Sequence, residues 1–302
     1  MTPGYWHFTM FKFYHTLGFE ESIDHKHTDW SPGNIHSYRQ WYEEDIQGRD
    51  TLLIMVGDSW TWGDHLGTID WDKSSNDPCR QEQIAGRHLS RLLDADWVNL
   101  ARPGCSNYWM LEKLQDLQPF IQQADYKKIY VVVTLTEDLR EAEYTRRIRV
   151  EEPYQQMWKG SDTIETFLRQ VEQYLLLNLE TYFKNVPAVS AHVGRAFTDF
   201  WPGVSGPLLL EKTWCDVIQD RFNFDNYQQP VPFIGQMSID PLTKKYIVQN
   251  PERKAEFLDI MERVGSRWRF LGDSPYNLKG STCHPNPAGH QLWAEYVYSQ
   301  IR

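Results

Sequence analysis

An alternation of apolar strands and amphipathic helices predicts an α/β fold: a parallel sheet covered by helices on both faces. Three observations predict it. Segments 51–58 (TLLIMVGD) and 127–135 (KKIYVVVTL) are almost continuously apolar, as strands buried on both faces are. The segments between strands repeat apolar residues at helical spacing. Strands and helices follow one another in turn, which is the order that crossover connections between parallel strands require.

The elements are read in chain order. Residues 1–48 are aromatic and histidine-rich without clear periodicity, and are expected to be an extension packed on a main domain spanning 49–302. His25 and His27 have the H-x-H spacing that can bind a metal, but no Cys or further His stands at ligand spacing, so a solvated or hydrogen-bonded pair is expected. After the strand at 51–58, residues 80–94 place Ile84, His88, Leu89, Leu92 and Leu93 on one helical face. A short strand at 97–101 and a helix at 106–124 precede the strand at 127–135. A long helix is expected over 162–185 and a fourth strand over 187–197. Residues 199–250 are rich in Pro, Gly and aromatics, and read as a loop-built insertion or lid; 252–270 reads as another helix. The last helix is best marked: Asn286 is a good N-cap and Pro287 suits the first helical position, where its missing N–H costs nothing. His284 lies in the loop just before it.

Composition narrows the function. With 302 residues, of which 41% are hydrophobic, the chain can bury a sizeable core as one large domain or two small ones. A net charge of -10 argues against a nucleic-acid partner. Cys79, Cys105, Cys215 and Cys283 are far apart and form no CxxC pair, so free thiols are expected, with no metal and no cofactor. The start MTPGYWHFTMFKFYH lacks a basic stretch followed by an apolar one, and YLLLNLETYF is too short and too interrupted to span a bilayer. A cytoplasmic product without a membrane partner is therefore expected. The 13 Trp and 16 Tyr fit either a large aromatic core or a face that stacks on a sugar or polymer.

Gly57-Asp58-Ser59 follows the first main strand directly. A serine there stands at the carboxyl edge of the sheet, where open α/β sheets bind ligands. Gly-Asp-Ser is also an ordinary turn. VGDSWTWGD, VNLARPGCSN and CHPNPAGH, taken together and in this order, resemble the first, second and last blocks of the SGNH (GDSL-like) hydrolases. The resemblance covers roughly residues 51–135 and 270–302. It implies a flavodoxin-like three-layer α/β/α sandwich and an ester hydrolase with Ser59 as nucleophile and His284 as general base. It places Gly104 where a backbone N–H helps to form the oxyanion hole. No GxSxG elbow occurs, so the α/β-hydrolase version of this chemistry is not indicated.

The chain departs from the family pattern twice. The third block usually reads G-x-N-D, with Asn donating to the oxyanion; here the stretch is Thr134-Leu135-Thr136-Glu137. Thr136 keeps a hydroxyl at the Asn position, and Asn107 is a substitute donor. The structural alternative is that Thr136 simply caps the next segment of chain. The family acid sits three residues before the histidine, where this chain has Ser281. A backbone carbonyl, Ser281 itself or Asp273 are the alternatives for orienting His284. Cys283 should face away from the imidazole, because neighbours on an extended chain point to opposite sides.

The leading reading is an acyl esterase or deacetylase acting on an acylated small molecule, polysaccharide or other polymer, with Trp60, Trp62, Trp109 and Trp201 either stacking on a sugar or packing in the core. A lipase or thioesterase would use the same site. A binding or structural protein that keeps the fold with a weakened site is the other class, and would have a protein assembly partner. The GDSWTWGD and PGCSN variants also resemble SGNH-type proteins encoded by bacteriophages, for which a virion location is the counterpart.

Overall fold

The structure, a computed structural model, describes residues 43–64, 66, 78–101, 107–136, 156–157, 160–186, 189–196, 206–221, 255 and 284–302. Among the described residues, five strands form one sheet: β1 (Glu43–Asp45), β2 (Thr51–Gly57), β3 (Asp96–Asn99), β4 (Lys128–Leu135) and β5 (Val189–Arg195). Their order is β1-β3-β2-β4-β5, with β1 antiparallel to β3 and all other pairs parallel. The parallel strands therefore run second-first-third-fourth, the flavodoxin-like order. The chain moves away from β2 in opposite directions on its two sides, so the carboxyl end of β2 is the topological switch point where such sheets hold ligands.

Leu52 to Val56 of β2 and Ile129 to Leu135 of β4 are buried without alternation, because helices cover both faces. One layer holds α3 (Ala85–Leu93), which packs on β2, β3 and α7 (Pro287–Ile301), with α6 (Trp214–Arg221) against α7. The other holds α4 (Asn107–Gln123), which packs on β2, β4 and α5 (Ile164–Lys184). Among the described residues, the short helices α1 (Ser59–Trp62) and α2 (Pro78–Gln83) lie between β2 and α3 in the chain.

α7 buries His290, Trp293, Ala294, Val297 and Ile301, a stripe at helical spacing. Its Trp293 stacks on Trp214, with centroids 5.2 Å apart. Trp60 and His290 meet Trp214 edge to face at 5.6 and 5.0 Å. The Trp214 indole N–H donates to the Gly289 carbonyl at 3.1 Å. This aromatic cluster ties α1, α6 and α7 together, and so fixes the two ends of the chain that meet at the site.

Three elements differ from the sequence expectation. β1 forms within the segment read as a patternless extension: Glu43-Glu44-Asp45 pairs with β3 through the backbone, which leaves no hydrophobic trace. Its return to β2 is fixed by the buried Asp96 carboxylate, which accepts the amide N–H groups of Gln47, Gly48 and Arg49 at 2.9, 3.0 and 3.2 Å. The helix expected over 80–94 is broken at Ile84, which is extended (φ -83°, ψ 155°). The Ala85 N–H there donates to His290 Nδ1 at 3.1 Å, so a side chain from α7 satisfies the new helix start. Finally, α6 lies inside the segment read as loops; eight residues between Pro- and Gly-rich stretches give too short a period to detect. The helix expected over 252–270 lies outside the described residues apart from Ala255.

Accepting from Ala85 requires an unprotonated Nδ1 on His290, and burial first, then the neighbouring His88, His284 and Arg80, hold its pKa well below the usual value. Burial likewise lowers His88 and His192. In the unfolded chain these rings bind protons near about pH 6.5. Below that pH the unfolded state holds more protons than the folded one, so stability falls as pH falls. Denaturant unfolding should show a loss of stability between about pH 7 and about pH 5.5. His290→Asn, which keeps an acceptor for Ala85 but does not titrate, should weaken that dependence; an unchanged dependence would contradict this account of His290.

Candidate functional site

β2 stops at Gly57 and turns at once into α1. Asp58 is the N-cap, with an extended backbone and a carboxylate that accepts the Trp60 N–H at 2.9 Å. Gly63 ends the turn in the left-handed region at φ 81°, and its N–H reaches the Ser59 carbonyl at 3.0 Å. The Asp64 N–H donates to the same carbonyl at 2.9 Å, which brings Asp64 back to Ser59. Neither glycine has room for a side chain. A Cβ on Gly57 would lie 2.1 Å from Thr61 Oγ1, and one on Gly63 would lie 2.3 Å from Ile84 Cγ2. Behind the turn, the fully buried Arg80 donates to the Trp62 carbonyl at 2.5 Å and lies 3.8 Å over the Trp62 ring.

His284 is placed by the start of α7. Asn286 caps that helix, accepting the Gly289 N–H at 3.0 Å, and Pro287 occupies its first position. The result is a contact of 2.9 Å between His284 Nε2 and Ser59 Oγ, with both side chains buried. The Asp64 Oδ2 atom lies 3.8 Å from the same nitrogen. That is too long for a hydrogen bond, but close enough for the carboxylate charge to act on the ring.

Asn107 opens α4 beside the end of β4. Its carboxamide accepts the Thr136 N–H at 2.8 Å and donates to the Thr136 carbonyl at 3.1 Å. Asn107 therefore fixes the chain that carries Thr136, and one of its Nδ2 hydrogens is committed there. The Thr136 hydroxyl is buried and has no hydrogen-bond partner among the described residues. Leaving a buried hydroxyl unpaired costs about 1–3 kcal/mol, a cost that a bound acceptor would offset.

The structure thus brings Ser59 and His284 into contact and sets Thr136 and Asn107 at the neighbouring strand end. Gly104, Ser281, Cys283, Asp273 and Trp201 lie outside the described residues, as do His25, His27 and the side chain of Trp109. Trp60 and Trp62 are not a stacking face: they are 1% and 7% exposed, one packed on Trp214 and the other under Arg80. Among the described residues no three His, Cys, Asp or Glu are grouped to hold a metal ion, and no helix is long and apolar enough to cross a membrane.

Sequence reasoning assigned nothing to Asp64, Arg80, His290 or Trp214. Asp64 stands inside the first block, and its signal is the glycine before it, which predicts a reversal toward Ser59. Arg80 and Trp214 give no signal, because burial of one arginine or one tryptophan is decided by tertiary packing.

An arrangement in which a neutral imidazole accepts from a buried serine hydroxyl can move a proton from oxygen to nitrogen as the oxygen attacks.

No curated protein sequence matches the chain significantly. Among solved structures, it is similar to a carbohydrate esterase family 2 enzyme with its carbohydrate binding domain from Corynascus thermopiles (Myceliophthora fergusii). The identity is 16% and the TM-score 0.39, over 85% of this chain and 67% of that one. It is also similar to a member of the lipolytic protein G-D-S-L family from Veillonella parvula (12%, TM-score 0.34, 82% and 97% covered). A third is a catalytic mutant of an acetylxylan esterase from Geobacillus stearothermophilus (12%, TM-score 0.32, 83% and 93% covered). The GDSL-like Lipase/Acylhydrolase family matches residues 53–297, most of the chain, and the chain belongs to that family.

Proposed function

We propose that this chain is a serine-dependent ester hydrolase in which Ser59 attacks the acyl carbonyl and His284 acts as general base and then general acid. The observation that carries the reading is the 2.9 Å contact between Ser59 Oγ and His284 Nε2 at the carboxyl end of β2. As Oγ bonds to the carbonyl carbon, its proton passes to Nε2 and the carbonyl oxygen becomes an oxyanion. Collapse breaks the bond to the leaving alkoxide, which takes the proton from Nε2. Water then attacks the acyl-serine, gives its proton to Nε2, and the acid product leaves as Oγ is reprotonated.

The oxyanion needs fixed donors. The backbone N–H groups of Ser59 and Gly104 are two in this reading, and the Thr136 hydroxyl is the third. The commitment of Asn107 to the Thr136 backbone favours Thr136 over Asn107 as the side-chain donor. The acceptor proposed is a carbohydrate or other polymer. With Trp60 and Trp62 in the core, sugar stacking rests on Trp109 and Trp201.

Hydrolysis of p-nitrophenyl acetate tests the chemistry. Ser59→Ala and His284→Gln should each lower kcat by at least about a thousandfold, and the double variant should lose little more, because the two act as a unit. Turnover by Ser59→Ala at the wild-type rate would end the reading. Thr136→Val should lower kcat by about a hundredfold with KM little changed, as for loss of one oxyanion donor; an equal rate would remove Thr136 from that role. Release of acetate from acetylated oligosaccharides would support the carbohydrate acceptor, and cleavage of simple esters alone would not.

A further inference from the structure

We propose that Asp64 is a positioning residue that stabilises the protonated form of His284, acting at the nitrogen that faces Ser59; this rests on the Ser59–His284 reading above. Asp64 Oδ2 lies 3.8 Å from His284 Nε2, and both side chains are only 10% exposed. Water screens such a pair weakly, so its attraction far exceeds that of a surface pair.

The carboxylate is set in place by the backbone. Gly63 adopts φ 81°, and the Asp64 N–H is held on the Ser59 carbonyl, so the charge stands ready before reaction. Its distance suits both states of the ring. At 3.8 Å it forms no hydrogen bond with a neutral imidazole, so the Nε2 lone pair stays with the Ser59 hydroxyl. When that proton arrives, the new N–H and the positive ring meet a carboxylate on the same side, and the proton remains at Nε2, where the leaving group needs it.

Among the described residues, the His and Arg side chains around His284 do not supply this charge. His290 on α7 interacts with His284 and is itself near Arg80 of α2 and His88 of α3, all of which are neutral or positive. The sequence has Ser281 at the position three before the histidine, and a hydroxyl carries no charge to stabilise an imidazolium.

The test is the pH dependence of kcat/KM on p-nitrophenyl acetate for wild type, Asp64→Asn, Asp64→Glu and Ser59→Ala. The reactive form has neutral His284, and a nearby carboxylate favours the protonated form. Removing it should move the acid limb to lower pH by about one pH unit, the usual effect of a charge at this distance. It should also lower the plateau by about tenfold to a hundredfold with KM little changed, since the stabilisation is lost only once the ring is charged. Asp64→Glu should restore part of both. An acid limb and plateau unchanged in folded Asp64→Asn would overturn the proposal while leaving Ser59 and His284 intact. Wild-type turnover by Ser59→Ala would overturn the hydrolase reading and this inference with it. If Asp64→Asn does not fold, Asp64→Ser takes its place: its acid limb should lie at lower pH than that of Asp64→Glu, and equal limbs in the two would overturn the proposal.

Discussion

The contact between His284 Nε2 and Ser59 Oγ joins residues 225 positions apart in sequence, and most of the described structure serves to hold it. Ser59 is fixed from below by β2 and from the side by the Asp58 cap and the Gly63 reversal. His284 is fixed by the Asn286 cap and by α7, whose stripe of apolar residues packs on α3 and α6. Trp214 closes the circuit, touching Trp60 on one side and Trp293 and His290 on the other. A shift of either arm by an ångström would separate the hydroxyl from the imidazole, so rigid aromatic packing under the turn is the condition for the chemistry proposed above it.

Burial shapes the electrostatics in two directions. It keeps His290 neutral, so that its Nδ1 can serve as an acceptor for the start of α3. In the proposed mechanism it also strengthens interactions with the charge that develops near Ser59, because charges among buried side chains are weakly screened. The Thr136 hydroxyl, without a partner among the described residues, and the Asp64 carboxylate stand in that setting on neighbouring chain ends. In the proposed mechanism one meets the negative charge of the tetrahedral intermediate, and the other meets the positive charge of the imidazolium.

Much of this is legible in the sequence because it is written in local patterns. The continuous apolar runs of β2 and β4 announce strands buried on both faces, and Asn286-Pro287 marks the start of α7 to the residue. GDS at a strand end and HPN before the last helix locate both partners of the central contact. The features that escape sequence reading depend on packing between distant segments. β1 is three acidic residues held by backbone pairing and carries no periodic signal. The break at Ile84 is set by an imidazole from the far end of the chain. Trp60 and Trp62 sit beside Ser59 in sequence, yet a one-turn helix points them into the core. Asp64 is visible as a residue but not as a neighbour of His284, because its place follows from the left-handed turn at Gly63.

The central claim is that Ser59 is a nucleophile because His284 takes its proton. Inactivation by a fluorophosphonate, with the adduct located by mass spectrometry of the digested protein, measures this without knowledge of the natural ester. The account predicts one adduct, on the peptide containing Ser59, whose rate of formation rises with pH through a single titration that disappears in His284→Gln. An adduct on another residue, or labelling of Ser59 that is as fast and as pH-dependent without His284, would contradict it.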